Sequence, residues 1–179
     1  EYFPDGLEET AKAIRQRGLI PGLWFEMETV GPDAQAYHWT EHLLKRDGIP
    51  LSSGGRRFWD FRDPWAIDYL SQKVIGLLKR GEFGYVKIDY NETIGIGVDG
   101  GDSLGEGLRS HIEAVQAFFR KMQDEIPDLV IENCSSGGHR LEPSMMALTS
   151  MASFSDAHEC LEIPIIAANM HRVILPRQS

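Results

Sequence analysis

Short apolar segments of this chain repeatedly end in an acidic side chain. The acids are Glu26, Asp89, Glu132 and Asp156, at the ends of segments 20–26, 85–89, 129–132 and 151–156. A buried carboxylate is costly unless it is paired with another group or used in chemistry. Carboxylates at the ends of apolar strands are therefore typical of an active site built at one edge of a parallel sheet.

Helix-period patterns separate these segments. They predict helices over 7–17, 64–80, 108–125, 142–148 and 163–175. Asp63 and Pro64 provide an N-cap and a first helical residue, and Gly81 lies just past the end of that helix. The alternation of helices with apolar strands predicts an α/β protein with a parallel sheet. An open doubly wound sheet and a (β/α) barrel both fit this order.

The composition excludes several classes of protein. The formal net charge of −9 provides no basic surface for nucleic acid or an anionic membrane. No apolar stretch approaches the roughly 20 residues that span a bilayer. The chain has two cysteines, Cys134 and Cys160, which fits a reducing compartment, and we expect a cytoplasmic location. We expect residues 1–179 to form a single unit, as one domain or part of a larger one.

The best candidate for a catalytic group is Asp89. Lys87 and Asp89 share one side of their strand under the two-residue period. A neighbouring lysine would lower the pKa of Asp89 and keep it ionised, which suits a nucleophile or a group that stabilises a cation. If Asp156 is a catalytic acid, its surroundings must raise its pKa.

Three other motifs have simpler structural interpretations. Residues 95–100 match G-x-G-x-x-G, but they lie past the strand end among acids that would repel a pyrophosphate. Residues 38–42 match the zinc-protease pattern H-x-x-E-H without a clear third ligand, which favours a solvated helical turn. Cys134 and His139 could form a thiol nucleophile and its base, but a thiol that lines a pocket is the simpler interpretation.

Two features point to a sugar ligand. Trp24 ends a strand at the expected active edge, where a flat apolar ring beside carboxylates suits the face of a sugar. The small residues at 135–138 follow the strand that ends near Glu132, and main-chain N–H groups in such a turn can approach a ligand closely.

Four ordered segments resemble a known family. Residues 22–28 (GLWFEME), 85–91 (YVKIDYN), 132–138 (ENCSSGG) and 155–156 (SD) are similar to signatures of the glycoside hydrolase family 36 α-galactosidases, or melibiases. The resemblance implies a (β/α)₈ TIM barrel that hydrolyses terminal α-linked galactose with retention, as in the catabolism of raffinose and melibiose. It implies no metal and no cofactor.

The resemblance also implies roles for individual residues. By it, Asp89 matches the nucleophile and Asp156 the general acid/base. The positions that match the sugar pocket are Trp24, Lys87, Asn91, Cys134 and Gly137. Ile88, Tyr90 and the segment 138–140 depart from the usual family residues, so other galactosides and transfer to a second sugar remain open.

The resemblance covers a partial barrel of about four βα units. The first two and last two strands of the family barrel are absent, including an acidic pair on its second strand. Four strands cannot close a barrel, and open sheet edges invite pairing. We therefore expect a catalytic-domain fragment that is inactive alone and that associates with copies of itself or with the remainder of its barrel.

Two other functions fit the same residues. In a magnesium-dependent barrel of the enolase type, Asp89, Glu132 and Asp156 would hold the metal and Lys87 would be a base. A galactoside-binding or interaction module would retain the pocket without turnover.

Overall fold

A four-stranded parallel sheet forms the centre of the molecule in the computed structural model, which describes residues 2–179. Its strands are β1 (Gly22–Phe25), β7 (Tyr85–Ile88), β8 (Val130–Asn133) and β9 (Met151–Ala152). They lie side by side in the order β1-β7-β8-β9, and every neighbouring pair is parallel. The prediction of a parallel sheet crossed by helices is confirmed.

Helices connect these strands. Their bounds are α1 Leu7–Arg15, α2 Pro64–Leu70, α3 Gly76–Arg80, α4 Leu104–Glu125, α6 Pro143–Met146 and α7 Glu162–Met170. A turn with left-handed φ angles, labelled α5, covers Ser135–Gly138. A π-helical turn, Ser71–Ile75, joins α2 to α3, so residues 64–80 form one continuous helical segment, as the sequence predicts. No helix within residues 2–179 is long and apolar enough to cross a bilayer.

Capping residues determine where two of the helices begin. The side chain of Asp63 accepts a hydrogen bond from the N–H of Trp65, which confirms the predicted N-cap. Ser103 accepts a hydrogen bond from the N–H of Glu106 at 3.2 Å, so α4 begins four residues earlier than the predicted start at 108. The predicted helix over 163–175 is shorter, because α7 ends at Met170.

The two faces of the sheet differ. Val86, Ile88 and Ile131 are almost fully buried under the helices. The opposite face presents a row of register partners, with Trp24 beside Lys87 and Lys87 beside Glu132. One face of the sheet thus belongs to the core and the other displays polar and aromatic groups, as the inner face of a barrel does near its mouth.

The segment between β1 and α2 contains structure that the sequence did not predict. Its short antiparallel strands are β2 (Thr29–Val30), β3 (Lys45–Arg46), β4 (Ile49–Pro50), β5 (Ser52–Ser53) and β6 (Arg56–Phe58). Strands of two or three residues are too short for a period-two pattern to show, which explains why this segment reads as a loop.

Candidate active site

Asp89 lies immediately past the end of β7 and is 9% exposed. Its Oδ1 accepts hydrogen bonds from the main-chain N–H groups of Tyr90 at 2.8 Å and Ser136 at 2.9 Å. Its Oδ2 lies 3.3 Å from Nε1 of Trp24, which donates to it. The carboxylate is therefore held by groups from three successive strand ends.

These hydrogen bonds decide the protonation state of Asp89. Burial acts to raise its pKa, but donation from Ser136, Asn91, Tyr90 and Cys134 outweighs burial and lowers the pKa below its usual 3.8. Asp89 is consequently a carboxylate at neutral pH, as a nucleophile must be.

Lys87 does not form the ion pair expected from its place in the sequence. Its Nζ lies 3.2 Å from Oε1 of Glu132, its register partner on β8, and donates to Oγ of Ser153 at 3.1 Å. Hydrogen-bond donors, and not the charge of Lys87, are the leading causes of the lowered pKa of Asp89. The parallel register places Glu132 nearer to Lys87, and a period-two pattern within one strand cannot reveal a partner on the next.

The turn α5 lies between Asp89 and Asp156 and contacts both residues. Within it, Ser136 and Gly137 have left-handed φ angles of 56° and 72°. Ser136 donates its N–H to Asp89, while a Cβ added at Gly137 would lie 2.8 Å from Cγ of Asp156. The two aspartates therefore lie on either side of one dipeptide, although 67 positions separate them in the sequence.

Asp156 differs from Asp89 in its surroundings. It lies beyond β9 and is exposed, whereas Asp89 is buried. The carboxyl group of Asp156 is thus open to solvent while that of Asp89 is enclosed, and two different environments suit two carboxyl groups with different chemical roles.

The remaining residues assigned by resemblance surround the same carboxylate. Trp24 is 53% exposed, which leaves its ring available to a ligand. The main-chain N–H of Asn91 donates to Glu26 at 3.0 Å, and its side chain helps to lower the pKa of Asp89. Cys134 is 2% exposed; burial, with the charge of Asp89, raises its pKa. The thiol stays protonated, which favours a pocket-lining group over a nucleophile.

Two ion pairs close to the site were missed by sequence reasoning. Arg56 on β6 donates to Glu26 at 2.6 Å, so the antiparallel segment reaches back to the strand ends. Arg140 donates to buried Glu28 at 2.8 Å, and its guanidinium lies 3.7 Å from the centre of the Tyr90 ring. The acidic residues after β1 were visible in the sequence, but their distant arginine partners were not.

The segment 38–42, which matches the zinc-protease pattern, packs against the start of α2. Its two short 3₁₀ turns, Gln35–His38 and Thr40–His42, agree with the predicted helical turn. Nδ1 of His42 lies 2.6 Å from Asp63, and its ring stacks on Trp65 at 3.8 Å. His42 is thus enclosed by Asp63 and Trp65 rather than solvated. Within residues 2–179, no group of three acidic, histidine or cysteine side chains is arranged to hold a metal ion.

Carboxylates and an aromatic ring at the ends of parallel strands are the arrangement found at the active edge of β/α-barrel enzymes. The model of the melibiase family matches residues 1–175, and the chain belongs to this family. Because Glu132 is paired with Lys87 and the family is melibiase, the enolase-type alternative is wrong.

Curated relatives agree with this membership. The chain is 28% identical to α-galactosidase AgaA of Geobacillus stearothermophilus over 193 aligned residues, which covers 97% of this chain and 26% of AgaA. It is 26% identical to the α-galactosidase of Escherichia coli, covering 90% of this chain and 23% of that enzyme. The chain thus spans about a quarter of the length of the curated relatives it matches.

Solved structures agree with the fold. A crystal structure of an AgaA variant with 1-deoxygalactonojirimycin superimposes with a TM-score of 0.84 at 25% identity, covering 95% of this chain and 24% of that one. AgaB of the same organism gives a TM-score of 0.85 at 25% identity, with the same shares covered. The predicted partial barrel is confirmed.

Proposed function

We propose that this chain carries the catalytic centre of a retaining α-galactosidase, with Asp89 as nucleophile and Asp156 as general acid/base. The observation that carries the proposal is the turn α5, which binds Asp89 through Ser136 and contacts Asp156 through Gly137. Retaining glycosidases need two carboxyl groups about 5–5.5 Å apart, one on each side of the reacting bond.

The lowered pKa of Asp89 supports its role as the attacking group. Its oxygen would form a bond to the anomeric carbon while the bond from that carbon to the leaving oxygen breaks. Asp156 would give its proton to the leaving oxygen and then take a proton from the water that releases galactose. An exposed position lets Asp156 reach both the leaving group and water.

Sugar recognition would come from the groups around Asp89. Trp24 would pack its exposed ring on the apolar face of galactose, and the Lys87 ammonium, kept in place by Glu132, would donate to ring hydroxyls. Asn91, Cys134 and Gly137 would form the remaining walls. Structures of AgaA variants with raffinose and with stachyose support α-galactosides of this class as substrates.

Activity would require a closed barrel. Within residues 2–179, β1 and β9 each have a free edge in the parallel sheet, and the apolar side chains of Leu19 and Ile20 are 62% and 70% exposed before β1. We propose that copies of this chain, or other segments of its barrel, cover these edges. Both cysteines are free thiols, which supports a reducing compartment such as the cytoplasm.

The test combines calorimetry with galactose and hydrolysis of an aryl α-galactoside, each measured on every assembly state that size-exclusion chromatography separates. Galactose should bind, and hydrolysis should fall at least about 10³-fold in Asp89→Asn because the nucleophile is removed. A folded Asp89→Asn protein with wild-type turnover would refute the assignment. Binding without turnover in every assembly state would instead favour a galactoside-binding module.

The role of Asp156 has its own test. Asp156→Asn should slow hydrolysis of alkyl galactosides far more than hydrolysis of aryl galactosides with good leaving groups, because only the former need a proton on the leaving oxygen. Equal losses for both substrates would remove Asp156 from the acid role.

A further inference from the structure

A cavity lies close to the candidate active site, between the loop after β7, the helix α4 and the segment that contains Arg140. Its volume is about 240 Å³. The twelve residues that line it include Tyr90 but not Asp89, Trp24 or Cys134. Tyr90 lies between this cavity and Asp89, because its N–H donates to Asp89 while the residue also lines the cavity.

The cavity has a closed floor and an open mouth. The lining side chains of Glu28, His111, Val115 and Met145 are each at most 3% exposed. Thr93, Gly95 and Ile112 are exposed, and Ile112 is 43% exposed. The mouth is therefore open to solvent, and the buried side chains form the floor beneath it.

Two buried polar atoms beside the cavity have no hydrogen-bond partner within residues 2–179. They are Nη2 of Arg140 and Nδ1 of His111. Arg140 uses Nη1 for Glu28, and the nearest acid to Nδ1 of His111 is Asp60 at 4.0 Å, too far for a hydrogen bond. A buried polar group without a partner costs free energy, so an occupant that supplies a partner would be stabilised.

Charge and lining define the class of occupant. Arg140 is already balanced by Glu28, and Glu142 adds a second negative group, so an anion has no net attraction to this cavity. His111 lines it as a neutral imidazole, because burial lowers its pKa to about 4. The aliphatic side chains of Ile94, Leu108 and Val115 favour an apolar body over water alone.

We propose that this cavity binds a small uncharged molecule with an apolar ring and a hydroxyl group, whose oxygen accepts from Arg140. The volume is suited to this size: a cavity of about 150 Å³ holds benzene, and pockets for drug-sized ligands begin near 300 Å³. The binding site is separate from the galactoside site and does not depend on its assignment.

The experiment is an NMR titration of the ¹⁵N-labelled chain with three matched probes: phenol, toluene and benzoate. Phenol should give saturable shifts at the amides of Tyr90, Ile112 and Val115. It should bind about fivefold more tightly than toluene, the change expected from one net hydrogen bond, and more tightly than anionic benzoate.

Two tryptophan variants on α4 provide the structural control. Ile112→Trp places a larger ring at the mouth and should weaken phenol binding at least about fivefold, whereas Arg120→Trp, exposed on the same helix away from the cavity, should not. The proposal is overturned if phenol shifts no cavity amide, if benzoate or toluene binds as tightly as phenol, or if the two variants bind phenol equally. A cavity that holds only water would give the first of these results.

Discussion

At the scale of single residues, Asp89 accepts hydrogen bonds from Trp24, Tyr90 and Ser136, and two of these donors are main-chain N–H groups. Main-chain donors are fixed by the sheet and the following turn, so they need no side-chain ordering when a substrate binds. Such preorganised donors keep a buried carboxylate charged without a neighbouring cation that would compete for it.

The titration of Asp89 is the first prediction. NMR of its carboxyl carbon should give a pKa below 3.8, because the hydrogen bonds favour the ionised form. A carboxyl whose pKa is lowered by folding stabilises the fold above its unfolded pKa, and this contribution is lost as the pH falls through the folded pKa. A measured value at or above 3.8 would contradict the hydrogen-bond account.

The ion pair between Lys87 and Glu132 gives the second prediction. Glu132→Ala should lower the free energy of unfolding by about 1.5–3 kcal/mol, because the Lys87 ammonium loses a charged hydrogen-bond partner at a side chain only 13% exposed. The matched control is Glu125→Ala, which removes the surface pairs with Lys79 and Lys121 and should cost less than about 1 kcal/mol. Urea denaturation measures the free energy of unfolding of both variants. Equal losses would mean that the pair of Glu132 with Lys87 stabilises the fold no more than a surface ion pair does.

At the scale of elements, the turn α5 is the most constrained part of the site. Gly137 has a φ of 72°, and a Cβ there would lie 2.6 Å from the main-chain N of Asp156. Gly137→Ala should therefore destabilise the protein and weaken galactoside binding, because the segment that carries Asp156 must move.

Gly18→Ala separates the cost of backbone strain from the cost of the close contact with Asp156. Gly18 has a φ of 75° but open space around it, so an alanine there meets backbone strain alone, on the order of 1 kcal/mol. Gly137→Ala should cost more than Gly18→Ala by roughly 1–3 kcal/mol, the usual range for overpacking. Equal losses in thermal or urea unfolding would show that Asp156 does not pack closely on this turn.

The N-cap of α4 gives a prediction at the same scale. Ser103→Ala should lower the free energy of unfolding by about 1 kcal/mol, because the N–H of Glu106 loses its acceptor. Ser103→Asp should retain the stability, since aspartate caps equally well. A loss in Ser103→Asp as large as in Ser103→Ala would contradict the capping role.

The sequence predicted the larger elements but not the contacts between them. Helices and parallel strands follow from local periodicity and from caps such as Asp63, and the structure confirms them. The sequence did not predict the early start of α4 or the short strands within 29–58, because glycine-rich and two-residue segments carry almost no periodic signal. The sequence did not predict the ion pair of Lys87 with Glu132, because that pair depends on the register between two strands, which no single strand encodes.

At the scale of the whole molecule, the candidate site lies at one edge of a sheet whose outer strands, β1 and β9, each have one free edge within residues 2–179. The assembly around these edges stays a prediction. Analytical ultracentrifugation should show self-association at micromolar concentration, and any hydrolysis should follow the associated fraction. A monodisperse monomer with full galactosidase turnover would contradict the need for a closed barrel.

As the proposed nucleophile, Asp89 would contact the anomeric centre of a bound galactoside. The most direct test of this role is calorimetry of 1-deoxygalactonojirimycin with three proteins: the unmodified chain, Asp89→Asn, and Asp128→Asn as an exposed control near the opposite end of β8. Binding should fall at least about tenfold in Asp89→Asn, because the ring nitrogen loses its carboxylate partner, and should be unchanged in Asp128→Asn. Equal affinity for all three proteins would contradict the assignment of Asp89 as the nucleophile.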